Sequence, residues 1–205
     1  SKAFTIPKID EGQVIAYVFT SGSTGVPIPH EKLWGSLAKN VQIASSALEI
    51  SPGTSVVGTT PSQHMYGFES NVLLCLQGRA ILYDDKPFFP ADIAQALEAI
   101  SSPRFLVTTP YHLEKLLESG VRLPHIDRIL CATAPLSQDL ALKAETVLDS
   151  ELSEIFGSTE TGQIATRRTS QTEEWSLLGD IKISKHSEGF TASGEHLLAP
   201  TTLMD

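Results

Sequence analysis

Only two cysteines, two tryptophans and two methionines occur among the 205 residues, and aromatic side chains make up 7%. Cys75 and Cys131 lie in separate apolar runs. That excludes a disulfide-stapled fold and points to buried thiols in a reducing, cytoplasmic setting. No apolar run reaches the roughly 18 residues a membrane-crossing helix needs, so no transmembrane segment is expected. Ser1-Lys2-Ala3-Phe4 lacks the apolar core of a signal peptide. Positive charge is also short: 15 Lys and Arg stand against 24 Asp and Glu, for a formal net charge of −9. The basic face that nucleic-acid binding requires is therefore missing. The 6 histidines do not cluster at metal-like spacing, which argues against zinc. The first residue is not Met, and the chain is expected to be a piece of a longer protein.

A hydrophobic content of 41% over this length suffices for one domain with a full core, or a domain and a small lobe. Ser1 to Gln13 reads as a loose lead-in. Val14 to Thr20 reads as a buried strand, and Ser21 to His30, with Pro27 and Pro29, as a loop. From Glu31 the period turns helical, with Leu33, Leu37, Val41, Ala44 and Leu48 on one face. Further strands are expected at Ser55–Thr60, Ala80–Tyr83, Phe105–Thr108, Arg128–Cys131 and Glu151–Phe156. Between them lie a buried helix at Phe68–Leu76 and helices opened by Pro90, Pro110 and Ser137, the second closed by Gly120. Strands alternating with helices imply an α/β fold with a mainly parallel sheet flanked by helices. Beyond Gly162 the texture changes to short runs at Ile164–Thr166, Trp175–Leu178, Ile181–Ile183, Phe190–Ala192 and Leu197–Leu198. These read as antiparallel strands of a small β-rich lobe. The expected division is thus an α/β subdomain over residues 1–162 and a β-rich segment over 163–205.

The chemistry concentrates in two stretches. Thr20-Ser21-Gly22-Ser23-Thr24-Gly25 follows an apolar run and gathers hydroxyls, backbone N–H donors and glycines that allow close approach to an anion. From composition alone it fits an ordinary turn equally well. It is not a Walker A loop, because no Gly-Lys-Ser/Thr follows, nor a Gly-x-Ser-x-Gly elbow, because Ser21 stands where the first glycine belongs. The second stretch, Phe156-Gly157-Ser158-Thr159-Glu160-Thr161-Gly162, repeats the chemistry and adds a carboxylate.

Thr20 to Pro27 resembles the phosphate loop of the adenylate-forming enzymes, the superfamily of acyl- and aryl-CoA synthetases and nonribosomal adenylation domains. Three further strings follow in the family's order. Pro61-Ser62-Gln63-His64-Met65-Tyr66-Gly67 is similar to the loop whose His lies beside the acyl pocket. Ala132-Thr133-Ala134-Pro135 is similar to the segment bordering adenine, and Phe156-Gly157-Ser158-Thr159-Glu160 to the Tyr-Gly-x-Thr-Glu motif. The resemblance covers residues 14–162 firmly and the remainder loosely.

It implies that Thr20, Ser21, Gly22, Ser23, Thr24 and Gly25 embrace the phosphates of ATP. Phe156 takes the adenine-stacking position, beside Gly157 and Ser158. Thr159 bonds the α-phosphate, Glu160 binds Mg²⁺, Ala134 and Pro135 line the adenine–acyl boundary, and His64 lines the acyl pocket. Glu69 and Asn71 are also expected to reach that pocket. Asp205 is the candidate for gripping ribose, with Asp180 the alternative.

The chain departs from the pattern where Pro27-Ile28-Pro29 stands in place of Pro-Lys-Gly, so the loop lysine is missing. The family's mobile C-terminal domain, with its catalytic lysine, is also absent from this sequence. The implied activity is ATP-dependent formation of an acyl-adenylate, then transfer to the thiol of coenzyme A or of the phosphopantetheine arm of an acyl carrier protein. A non-catalytic or degenerate nucleotide-binding module stays open as the alternative.

Overall fold

A computed structural model describes residues 8–21, 26–187 and 189–203. An antiparallel ribbon of β1 (Val14–Ser21) and β2 (Pro27–Leu33) opens the chain and leads into α1 (Trp34–Ala47). After β3 (Ser55–Gly58) comes one continuous helical rod: α2 (Met65–Gly67), a π-helical stretch (Phe68–Leu73) and α3 (Leu74–Gly78). The alternation then runs β4 (Ile81–Leu82), α4 (Pro90–Ala99), β5 (Arg104–Thr108), α5 (Pro110–Ser119), β6 (Arg128–Cys131), α6 (Gln138–Leu148) and β7 (Glu151–Ser158). Five strands close the chain: β8 (Gly162–Arg167), β9 (Ser176–Leu177), β10 (Lys182–His186), β11 (Gly189–Ser193) and β12 (Thr201–Leu203).

The expected α/β architecture is present. The main sheet has seven strands in the order β4-β3-β5-β6-β7-β8-β9. It is parallel from β4 to β7 and antiparallel beyond. Side chains of a strand alternate between its faces, so each parallel strand feeds two cores. Val56, Phe105, Val107 and Leu130 pack with α1 and the helical rod. Val57, Leu106, Ile129, Cys131 and Leu152 pack with α4, α5 and α6. The near-continuous apolar runs of these strands follow from burial on both sides. Cys75 and Cys131 are free and buried, one in each core.

The helix ends carry the expected signals. The Asp92 carboxylate accepts from Phe89 N at the Pro90 start of α4, at 3.1 Å. The Thr109 hydroxyl caps α5, which ends at Gly120 with φ 63°, and Ser137 caps α6. Among the described residues no helix is long and apolar enough to cross a membrane.

Several expectations are corrected. Val14–Thr20 forms a strand but not a buried one: Tyr17 and Phe19 are 55% and 62% exposed, because β1 pairs only with β2 and lies outside the main sheet. Pro27 and Pro29 belong to β2, not to a loop. A two-stranded ribbon leaves outer amides unpaired and so tolerates proline. With β2 extending to Leu33, α1 starts at Trp34 rather than Glu31. The rod begins three residues before Phe68, at Met65. Leu197–Leu198 forms no strand and follows the turn at Glu195–His196, and β12 supplies the third strand of the small sheet β10-β11-β12. β8 and β9 extend the main sheet past residue 162.

Candidate functional site

The parallel strands β3, β5, β6 and β7 end on one edge of the sheet, and each is followed by threonine. Thr59 and Thr60 follow β3, Thr109 follows β5, Thr133 lies two residues beyond β6 and Thr159 follows β7. With Val18, Phe19 and Thr20 of β1, and with Pro61, Gln63, His64, Met65 and His112, they line a cleft of about 600 Å³. Open α/β sheets bind ligands at this edge, beyond the carboxyl ends of their strands. The cleft's floor is tied together. Tyr66 donates its hydroxyl to the carbonyls of Thr108 and Leu130, at 3.1 and 3.0 Å, and so straps the rod to the ends of β5 and β6. His112 Nδ1 lies 3.2 Å from the Thr59 hydroxyl and 3.1 Å from that of Thr109. Burial lowers its pKa, which favours the neutral ring.

One wall of the cleft is the turn between β7 and β8. Thr161 Oγ1 accepts from Ser158 N at 3.0 Å, and Ser158 Oγ accepts from Glu160 N at 3.2 Å. A Cβ on Gly157 would stand 2.1 Å from the Gly162 carbonyl, so only glycine fits there. Thr159 lines the cleft; Glu160 lies on the far side of the turn, half exposed, with its Oε1 3.4 Å from His30 Nε2. Partial burial opposes the charge on Glu160. The Ser158 hydroxyl, its own backbone amide, His30 and Lys32 outweigh that and hold its pKa below the usual carboxylate range. An ionised carboxylate beside a hydroxyl-rich cleft fits Mg²⁺, an oxygen-seeking ion that takes one or two protein carboxylates and draws its other ligands from phosphate and water.

Behind the turn is a second cavity of about 170 Å³, lined among others by Lys32, Asn40, Glu69, Glu160 and His196. Lys32 is buried on β2 and donates from Nζ to the Thr159 carbonyl. Glu69 is 2% exposed, and its Oε1 has no partner. Burial pushes its pKa up to about 8, against the opposing effects of Lys32 and of a hydrogen bond from the Gln163 backbone.

Of the predicted site residues, Thr20, His64 and Thr159 line the cleft together. His64 also caps α2, accepting from Tyr66 N at 3.3 Å. Ser21 closes β1 opposite Pro27, whereas Gly22, Ser23, Thr24, Gly25 and Asp205 lie outside the described residues. Ala134 and Pro135 are exposed just beyond β6, next to Thr133. Phe156 does not line the cleft; it packs on Trp175 with ring centroids 5.5 Å apart, and against the small lobe. Asp180 is exposed, accepts from Glu195 N at 2.9 Å and lines neither cavity.

Neither Glu69 nor Asn71 reaches the cleft, contrary to expectation. Glu69 points to the rear cavity, and Asn71 turns under the sheet to donate to the Thr60 carbonyl at 3.0 Å. Sequence reasoning missed Thr59, Thr60, Thr109, His112, His30 and Lys32. For the threonines a signal existed: each stands at the end of a recognisable strand.

A family model described as AMP-binding enzyme matches residues 2–185. The 4-coumarate–CoA ligase of Rhodobacter capsulatus is 30% identical over 151 residues, which cover 73% of this chain and 38% of that one. A 4-chlorobenzoate–CoA ligase of Arthrobacter is 25% identical over 167 residues, 78% of this chain and 31% of that one. The ATP-bound MatB of Rhodopseudomonas palustris shares the fold, with a TM-score of 0.78 at 19% identity over 96% of this chain and 42% of that one. So does the O-succinylbenzoate coenzyme A synthetase of Bacillus subtilis in complex with AMP, with a TM-score of 0.78 at 17% identity over 92% of this chain and 42% of that one. The chain spans 38% and 43% of the length of the first two curated relatives it matches.

Proposed function

Because the chain belongs to the AMP-binding enzyme family, we propose that it forms the ATP- and acid-binding part of a ligase that converts a carboxylic acid to an acyl-adenylate. The acyl group then passes to a thiol, that of coenzyme A by analogy with the named ligases, or that of a carrier protein's phosphopantetheine arm. The ligases for 4-coumarate and 4-chlorobenzoate make aromatic acids the first candidates.

The observation that carries this reading is the convergence of Thr20 and Thr159 on the strand-end cleft, with the ionised Glu160 carboxylate at the same turn. In the reaction a carboxylate oxygen of the acid attacks the α-phosphorus of ATP, and pyrophosphate leaves. Thr159 would donate to the α-phosphate and the loop from Thr20 to Gly25 would cradle the outer phosphates. His64 would border the acid, and Ala134 and Pro135 the adenine. Glu160 would hold Mg²⁺, which supplies charge neutralisation on the phosphates when bound. The work is alignment and electrostatic stabilisation, and no side chain need act as nucleophile.

The exposed Ile28 at the position of the family's loop lysine favours a second reading, a nucleotide-binding module without catalysis. Pyrophosphate exchange on the full-length protein with 4-coumarate and 4-chlorobenzoate separates the two. The ligase reading expects exchange with at least one aromatic acid and a loss of about 100-fold or more in Glu160→Gln. MgATP binding without exchange for any acid supports the module.

A further inference from the structure

We propose that Lys32 is a positioning residue that holds the Thr159–Glu160 turn in its nucleotide-binding shape from behind, with His30 as the outer clamp; the proposal rests on the reading above. On β2 the side chains of His30 and Lys32 point the same way, because alternate residues of a strand share a face. Both reach the one turn. His30 Nε2 lies 3.4 Å from Glu160 Oε1 and 2.9 Å from the Thr20 hydroxyl. Lys32 Nζ donates to the Thr159 carbonyl across 127 residues of sequence.

Burying a lysine is costly unless its charge finds a partner. Lys32 is 8% exposed, yet no carboxylate lies within ion-pairing distance of it among the described residues. Glu69 shares its cavity and leaves Oε1 unpartnered rather than closing on the ammonium. Lys32 spends its hydrogen bond on a backbone carbonyl of the turn. The peptide so fixed joins Thr159, which lines the cleft, to Glu160, which carries the charge. Donation from a cation makes the bond stronger than a neutral one.

The full-length protein is tested as the parent, as Lys32→Met and Lys32→Arg, and as the double variant Lys32→Met/Glu69→Gln. The double variant removes both buried ionisable side chains, Lys32 and Glu69, and so guards against simple misfolding. Two quantities are measured: deuterium uptake over residues 157–163 without ligand, and MgATP affinity by isothermal titration. Lys32→Met and the double variant are expected to speed exchange in that segment, leave β5 and β6 protected, and weaken MgATP about tenfold, the scale of one charge-assisted hydrogen bond. Lys32→Arg is expected to recover most of both. Unchanged exchange at 157–163 overturns the proposal. So does an equal rise across the whole sheet, which would make Lys32 a core residue and nothing more. Should the parent fail to bind MgATP, the nucleotide reading falls, while the exchange measurement still decides whether Lys32 fixes the turn.

Discussion

Glu69 keeps a carboxyl inside the protein by staying protonated. Its pKa rises from 4.5 to about 8, chiefly through burial. In the unfolded chain it ionises near the ordinary value, so its neutral form favours the fold fully below about pH 4.5. That contribution is lost as pH rises through about 8. Thermal unfolding should therefore show Glu69→Gln gaining stability relative to the parent between about pH 5 and about pH 9. A difference that stays constant over that span would mean that Glu69 is ionised in the fold. Gly157 makes a steric case at the same scale. With a Cβ placed 2.1 Å from the Gly162 carbonyl, Gly157→Ala must spread the hairpin. We expect a loss of about 2 kcal/mol or more in denaturant unfolding, with nucleotide binding weakened in the fraction that folds.

At the scale of elements, α5 carries two duties through one residue. The Thr109 hydroxyl caps the helix, accepting from His112 N at 3.3 Å, and also meets the His112 ring. Thr109→Ala should cost about 1 kcal/mol as a lost cap, and Thr109→Ser should restore it, as chemical denaturation would show. The helices of this region were legible in the sequence because their ends are written locally: Pro90, Pro110 with Gly120, and Ser137 each act within one turn. The buried parallel strands were legible because both of their faces need apolar side chains. β2 was not, since Pro27 and Pro29 argue against a strand and only its pairing with β1 overrides them. β9 and β12 are too short, at two and three residues, to show a period. The site divides in the same way. Thr20, His64 and Thr159 stand in motifs that can be read along the chain. Lys32 and His112 acquire their meaning only when elements far apart in sequence pack together.

For the molecule as a whole, the nucleotide reading has a thermodynamic signature. A ligand that binds only the folded state stabilises it by about 2.7 kcal/mol at one hundred times its Kd. For a domain of this size the melting temperature should rise by about 5–10 °C in saturating MgATP. Glu160→Gln should shrink that rise without shifting the ligand-free melting temperature by more than about 1 °C, since its carboxylate sits on an outer turn. Equal ligand-induced shifts in parent and variant would remove Glu160 from the nucleotide site.

The threonines at the strand ends carry a consequence for how such a protein can change. Thr59, Thr60, Thr109, Thr133 and Thr159 belong to neither apolar core, yet all five line the cleft. Each stands just outside a strand whose inward residues are already committed to packing. An insertion within a strand would swap its two faces and wreck both cores at once. A substitution at these positions leaves the apolar packing of both cores in place and disturbs only local hydrogen bonds such as the Thr109 cap. The scaffold thus separates heritable risk from heritable novelty: lineages can retune what the cleft accepts, one side chain at a time, while the sheet beneath it stands still.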